Sequence, residues 1–360
     1  MTIGIQRERT APAAQLLLRC SASLLLLLAL AGCQTEIAFS KHQTLNRITC
    51  GRVYTLPVPT TNHRRVLWSP DGKQLAYYGE TAPGENGIFI TDRTGERSIN
   101  ITAAIAAVPT VDFVWSPDSS SILYTARELN GMTTIYKASA SGGGGLPVPM
   151  TPVGQNSREP SWSPDGERFV YSGDSPEAPG SYDLYTGNAD GKGRTWLLGQ
   201  PSMDESLPAW GVGERLAYVQ GPRRGPYSVI VRQLNTSGEH IYRTTYAGYG
   251  ASPVGDRLVW SSDGERLAFT GGDAKIMVAS AKAPYKESCI TCTGTNIDSH
   301  PAWFPHDHGL VSDRAVNDVP PQNSPHGLFR VDADGSDSEF LDTLGDWPHP
   351  RPHRPRLCLF

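Results

Sequence analysis

Residues 162–166 read Trp-Ser-Pro-Asp-Gly, and this short stretch decides the fold because close copies of it recur along the chain. Each copy begins at a tryptophan, and the steps between successive tryptophans are 47, 47, 48, 50 and 43 residues. The period is marked by Trp68, Trp115, Trp162, Trp210, Trp260 and Trp303. A repeat of about 40 to 50 residues indicates one supersecondary unit used several times.

Each repeat contains four short apolar runs separated by Gly, Asp, Ser or Pro. The run after each tryptophan is the clearest, as at residues 75–77, 122–124, 169–171, 216–218 and 267–269. No segment has a sustained helical period, whereas short runs between turn residues are typical of strands. The repeat therefore predicts an all-β protein, a propeller whose blades are four-stranded antiparallel sheets.

The repeated residues suit structural roles. A tryptophan is a large flat side chain that fills the wedge between adjacent blades. Pro-Asp-Gly favours a tight turn, because Pro restricts φ, Asp bonds the nearby backbone and Gly accepts positive φ. The turn aspartates are Asp71, Asp118, Asp165 and Asp263, and two repeats depart from the motif, at residues 211–214 and 304–307.

These repeats resemble those of the TolB-type propeller family, in which His-Pro-x-Trp-Ser-Pro-Asp-Gly precedes an apolar strand. Residues 155–173 and 299–303 match that pattern best, and the resemblance covers residues 55–345. It implies a propeller that makes protein–protein contacts. No partner-binding residue can be carried over, because the motif residues are structural.

The number of blades depends on the chain ends. Six tryptophan repeats predict six blades within residues 53–345, with 34–52 as a linker or closing strand and 346–360 as a proline-rich, mostly irregular tail. Prolines are poorly tolerated within sheets, and four of them crowd that tail. The alternative is a seventh blade closed by the two termini, because residues 36–40, 52–56 and 346–350 resemble strands.

Residues 1–33 resemble a bacterial lipoprotein signal peptide. Three arginines precede a short apolar run, which ends in Leu-Ala-Gly-Cys at Cys33. Such a run is too short to span a bilayer as a helix. The resemblance implies cleavage before Cys33, lipidation of its thiol, and an exported protein anchored at the cell envelope, on the periplasmic face if that envelope is Gram-negative. An ordinary secretory signal is the alternative.

Four other cysteines remain after processing. Cys289 and Cys292 are three residues apart, a spacing that suits a local disulfide, a redox pair or half a zinc site. Cys50 and Cys358 lie near the two chain ends and pair only if the ends meet. We expect structural disulfides or free thiols and no metal or other cofactor.

The net charge of −4 argues against a nucleic-acid-binding protein, which needs a basic surface. Removing residues 1–32 takes away three Arg and one Glu and lowers the charge to −6. The chain also has no Gly-x-Ser-x-Gly elbow and no Walker loop. These observations favour a protein that is not an enzyme and has no nucleic-acid partner.

Residues three and four positions before each tryptophan should gather at one mouth of the channel, because the first strand of each blade lines it. The candidates for this binding site are Arg64, Asp112, Arg158, Glu159, Asp256, Arg257 and His300. Charges of both signs occur among them. These residues form either a polar site for a ligand or peptide, or a hydrated funnel whose charges neutralise one another.

The sequence therefore predicts a lipid-anchored, non-enzymatic propeller that binds envelope proteins or peptides. Two alternatives remain open. One is a carbohydrate-active or metal-dependent enzyme centred on the channel, which would need His63 and His300 directed into it. The other is a sensor that binds a small ligand.

Overall fold

The computed structural model describes residues 36–41, 43–49, 52–143, 145–176, 180–222, 227–234, 242–245, 257–271, 274–282, 286–292, 297–305, 307–315, 326–343 and 346–352. Within these ranges the chain forms 28 strands and no helix, so none of the described residues forms a helix that could cross a bilayer. The strands make seven four-stranded antiparallel sheets arranged as the blades of a ring. The prediction of an all-β propeller is confirmed.

Six blades each contain one tryptophan repeat. Blade 1 comprises β4 (Thr61–Trp68), β5 (Gln74–Glu80), β6 (Asn86–Asp92) and β7 (Ser98–Asn100). Blade 2 comprises β8 (Val108–Trp115), β9 (Ser121–Arg127), β10 (Thr133–Ser139) and β11 (Val148–Pro149). Blade 3 comprises β12 (Ser157–Trp162), β13 (Arg168–Asp174), β14 (Tyr182–Asn188) and β15 (Thr195–Leu198).

The next three blades repeat this order. Blade 4 comprises β16 (Met203–Gly211), β17 (Arg215–Pro222), β18 (Ser228–Gln233) and β19 (Tyr242–Thr245). Blade 5 comprises β20 (Val259–Trp260), β21 (Arg266–Thr270), β22 (Ile276–Ser280) and β23 (Glu287–Cys289). Blade 6 comprises β24 (Ile297–Trp303), β25 (Gly309–Ala315), β26 (His326–Asp332) and β27 (Ser338–Thr343).

Blade 7 joins the two ends of the chain and shows that the expectation of six blades is wrong. It comprises β1 (Ile37–Lys41), β2 (Thr44–Thr49), β3 (Arg52–Thr55) and, from the other end, β28 (Asp346–Pro350). In the sheet order β28-β1-β2-β3, Ile37 pairs with Pro350. The alternative of seven blades closed by the termini is confirmed.

Prolines are tolerated in β28 because it is the end strand of its sheet and pairs only with β1 among the described strands. Pro348 and Pro350 lack an N–H donor, but an edge strand needs donors on one side only. Residues 346–350 therefore form a strand, although proline content argued for an irregular tail.

The second strands are buried along most of their length. In β9 every residue from Ser121 to Ala126 is buried, and β13 is buried from Phe169 to Gly173. Neighbouring blades pack on both faces of each sheet, so both sets of alternating side chains face the core. This explains why the sequence shows continuous apolar runs there instead of alternation.

The first strand of each blade is the innermost. The residues that line a central cavity come from β4, β8, β12, β16, β20, β24 and β28, from the turns that follow them and, in blade 5, from residues 257 and 258 just before β20. The cavity face is defined as the face of the ring on which these strands end, and the opposite face as the one on which they begin.

Candidate functional site

The turn after each tryptophan is organised by the serine that follows it. Ser163 Oγ donates to Asp165 at 2.5 Å and accepts from the backbone N–H of Arg168 at 2.9 Å. The same serine–aspartate bond occurs at 2.7 Å for Asp71, 2.5 Å for Asp118 and 2.6 Å for Asp263. The Ser hydroxyl and a following backbone N–H hold the pKa of Asp165 below its usual value. The sequence interpretation emphasised Pro, Asp and Gly and missed the serine, although it recurs as regularly as they do.

Three of the repeat tryptophans form a hydrogen bond to the blade before their own. The indole N–H of Trp303 donates to the carbonyl of Val259, the residue that precedes Trp260. The equivalent bonds join Trp260 to Ala209 at 2.9 Å and Trp115 to Leu67 at 3.2 Å. Trp115 is buried and Trp260 and Trp303 are partly buried, so these three tryptophans act between blades.

Cationic side chains cover several of these rings. Arg168 lies over the ring of Trp210 at 4.7 Å, and Arg266 lies over that of Trp303 at 4.8 Å. Arg351 covers Trp68 at 5.3 Å. In each case the arginine belongs to the preceding blade, so cation–π contacts add to the packing between blades.

The innermost strands are irregular just before the tryptophan. Register shifts lie between Arg158 and Ser161 in blade 3 and between Ser299 and Ala302 in blade 6. Four residues exactly three positions before a tryptophan have positive φ: Arg65, Glu159, Leu207 and His300. Such bulges redirect side chains.

Two charged side chains meet across the channel. Arg257 of blade 5 donates to Asp112 of blade 2 at 2.6 Å. The second oxygen of Asp112 accepts from Thr125 Oγ1 at 2.7 Å and from the backbone N–H of Glu159 at 2.6 Å. Burial alone would raise the pKa of Asp112, but the guanidinium groups of Arg257 and Arg65 hold it below its usual range.

Glu159 continues this network into blade 4. Its carboxylate accepts from Ser172 Oγ at 3.0 Å and from the backbone N–H of Leu207 at 2.7 Å. Burial raises its pKa. Arg158 lies 3.3 Å from Glu159 and stacks over the ring of Tyr182 at 3.7 Å.

His300 is held by a buried carboxylate. Its Nδ1 lies 2.6 Å from Asp313, which is fully buried and also accepts from Ser299 Oγ at 2.8 Å. His63 is not directed to the same place. It is buried against Tyr77 of blade 1, and its Nε2 lies 2.8 Å from Thr60 Oγ1.

The remaining predicted residues, Arg64 and Asp256, are not placed in the channel. Arg64 is exposed, whereas its neighbour Arg65, with positive φ, is buried and lines the cavity. Asp256 lies outside the described residues. The structure therefore brings Asp112, Glu159 and Arg257 together and places His300 at the cavity wall.

His349 was missed as a channel residue because the sequence assigned it to the tail. Its Nδ1 accepts from the backbone N–H of Trp68 at 3.2 Å, and the ring lines the cavity. Burial, followed by the charge of Arg65, lowers the pKa of His349 to about 4. Its position 46 residues after Trp303, close to the repeat length, was the available signal.

The cavity has a volume of about 540 Å³ and is bordered by all seven blades. Five of the repeat tryptophans border it: Trp68, Trp115, Trp210, Trp260 and Trp303. Six prolines complete much of the wall: Pro70, Pro301, Pro305, Pro348, Pro350 and Pro352. The cavity is an aromatic and proline-rich pocket of the size that ligand sites usually have.

The cysteines and metal ligands are placed as follows. Cys289 and Cys292 form a disulfide with their Cα atoms 5.6 Å apart. Cys33, Cys50 and Cys358 lie outside the described residues. No group of three or more His, Cys, Asp or Glu side chains among the described residues is arranged to hold a metal ion.

No family model matches this chain, and no curated protein matches it either. Solved structures do match. A protein assigned as TolB from Agrobacterium tumefaciens is 17% identical, with a TM-score of 0.50 over 87% of this chain and 90% of that one. An oligogalacturonate lyase in complex with manganese is 14% identical, with a TM-score of 0.54 over 84% and 82%.

A puromycin-hydrolysing peptidase from Mycobacterium tuberculosis is 14% identical, with a TM-score of 0.59. The match covers 87% of this chain but only 54% of the peptidase, so this chain spans about half of it. At these identities the likeness establishes the propeller fold, which binding proteins and enzymes share.

Proposed function

We propose that this chain is a non-enzymatic binding scaffold of the bacterial cell envelope, which takes a segment of a partner protein into its central cavity. The observation that carries the proposal is the cavity of about 540 Å³ walled by tryptophan and proline. Aromatic side chains dominate the energetics of protein–protein contacts, and apolar concave sites with few polar groups are typical of binding sites.

The charged residues of the channel support binding over catalysis. Asp112 and Arg257 neutralise each other, and Glu159 accepts two hydrogen bonds within the protein. These groups hold the blades in position, while the wall that faces an incoming chain is mostly apolar. Likeness to a TolB-type propeller is consistent with this role.

Membrane attachment through a lipid on Cys33 is the second element of the proposal. The short apolar run and the Leu-Ala-Gly-Cys sequence at its end support it. Replacing Cys33 with Ala should move the protein from the membrane fraction to the soluble fraction. Retention of the Cys33→Ala variant in membranes would contradict the lipid anchor.

Site-specific photo-crosslinking in cells tests the cavity. A photoreactive phenylalanine analogue at Phe304, in the cavity wall, should give a discrete adduct with an envelope protein. The same analogue at Trp196, which is exposed on the outer strand β15, is the control. Equal adducts at both positions, or manganese-dependent cleavage of a polysaccharide by the purified protein, would overturn the proposal.

A further inference from the structure

The N-terminal end of the propeller is clamped at the rim of the cavity. Glu36 is buried. Its carboxylate forms ion pairs with Arg47 at 2.8 Å, Arg93 at 2.8 Å and Arg351 at 3.4 Å. The backbone N–H of Arg351 also donates to the carbonyl of Glu36 at 2.7 Å. These four residues are called the rim clamp.

The rim clamp lies on the cavity face. Ile37 pairs with Pro350, which lines the cavity, and Arg351 Nε donates to the carbonyl of Gly72 in the turn after Trp68 at 2.7 Å. Glu36 therefore sits where the innermost strands end. The opposite face is one strand length away, about 23 Å for seven residues.

The lipid-bearing position is close to this point in the chain. Only Gln34 and Thr35 separate Cys33 from Glu36. Three residue steps span at most about 11 Å even when fully extended. An anchor at Cys33 is thus much closer to the cavity face than to the opposite face.

We propose that the lipid on Cys33 holds the cavity face of the propeller toward the bilayer, so that the cavity opens onto the lipid headgroup surface. The inference rests on the lipid anchor of the proposed function and adds an orientation to it. A ring turned the other way would need a tether of at least the strand length, which the chain between Cys33 and Glu36 does not supply.

Electrostatic attraction does not explain this orientation. The turns of the cavity face carry the carboxylates of Asp71, Asp118, Asp165 and Asp263, which anionic headgroups repel. The short tether is therefore the orienting element, and a zwitterionic membrane is the appropriate surface for a test.

Two exposed apolar residues provide matched label sites. Val212 is 49% exposed in the turn between β16 and β17, on the cavity face. Leu129 is 91% exposed in the turn between β9 and β10, on the opposite face. Val212→Cys and Leu129→Cys are made in a background carrying Cys50→Ser and Cys358→Ser, and each is labelled with a thiol-reactive fluorophore.

The lipidated variants are reconstituted into phosphatidylcholine vesicles that contain a lipid with a nitroxide on its headgroup. We expect fluorescence at position 212 to be quenched at least twofold more than at position 129. Equal or reversed quenching in protein that floats with the vesicles overturns the orientation. Failure to float overturns the lipid anchor itself, and the orientation with it, so the two failures are distinguished.

A longer tether tests whether the short segment between Cys33 and Glu36 causes the orientation. Ten Gly and Ser residues inserted between Thr35 and Glu36 add about 18 Å of mean reach. The quenching difference should then disappear while flotation is retained. A difference that persists with the long tether would show that the face binds lipid by its own affinity, which overturns the tether as its cause.

Discussion

Arg257 and Asp112 are 145 residues apart in the chain, yet their side chains meet at 2.6 Å inside the channel. One belongs to blade 5 and the other to blade 2, so a single ion pair connects distant parts of the ring. Both side chains are about one-quarter exposed or less. The ion pair therefore joins two sides of the channel.

Removing one member of this pair should destabilise the fold. Arg257→Met removes the direct ion-pair partner of Asp112 and leaves only the more distant charge of Arg65, so we expect the free energy of unfolding to fall by about 2 to 3 kcal/mol in urea titrations. Lys73→Met, which removes the cation from the exposed pair with Asp71, is the control and should cost under about 1 kcal/mol.

Adding Asp112→Asn to Arg257→Met should recover part of that loss, because the uncompensated charge is then removed. Strictly additive losses in the double variant would show that the two side chains do not interact as described.

The tryptophans that mark the repeat should contribute more than an exposed tryptophan. Trp162 is 8% exposed and packs edge-on against Phe169, so Trp162→Ala should cost about 3 to 5 kcal/mol. Trp196 is 52% exposed, and Trp196→Ala should cost about 1 kcal/mol. Chemical denaturation of both variants makes the comparison, and similar losses would contradict the position of Trp162 between blades.

Glu205 should make stability depend on pH. Its side chain is fully buried, and desolvation raises its pKa to about 7, well above its value in the unfolded chain. The folded state therefore favours the protonated carboxyl, and the associated stability is lost as pH rises from about 4.5 through 7. Relative to Glu205→Gln, the wild-type protein should lose about 3 kcal/mol across that interval.

Thermal or urea unfolding of both proteins at pH 5 and pH 8 measures this difference. Glu167→Gln, at an exposed carboxylate, serves as the control for general effects of pH. Parallel curves for wild type and Glu205→Gln would exclude Glu205 as the titrating group.

The rim clamp should stabilise closure of the ring. Glu36→Gln keeps the size of the side chain but leaves three guanidinium groups without their carboxylate, so we expect a loss of about 3 kcal/mol. The measurement is the unfolding midpoint in guanidinium chloride. Glu265→Gln, in the exposed pair with Lys282, is the matched control and should change stability by under about 1 kcal/mol. Equal losses would contradict a special role for Glu36.

The candidate site contains three residues that the repeat predicts and one, Arg65, that it does not single out. Asp112, Glu159 and Arg257 were predicted to gather because each lies three positions before a repeat tryptophan. Arg65 was passed over in favour of Arg64, because two adjacent arginines offer the same chemistry and only the irregular register of the strand decides which of them enters the channel. A bulge of this kind depends on packing around the whole strand.

The sequence by itself determined the repeat, the four strands of each blade and the turns between them. These features depend on hydrogen bonds and packing among residues close together in the chain, as in the bond from Ser163 to Asp165. The tertiary structure alone decided that β28 joins β1 as a seventh blade and that Arg257 reaches Asp112. Ring closure joins residues hundreds of positions apart in the chain, and the ion pair across the channel joins residues more than a hundred positions apart. Only the curvature of the assembled blades brings these residues within bonding distance.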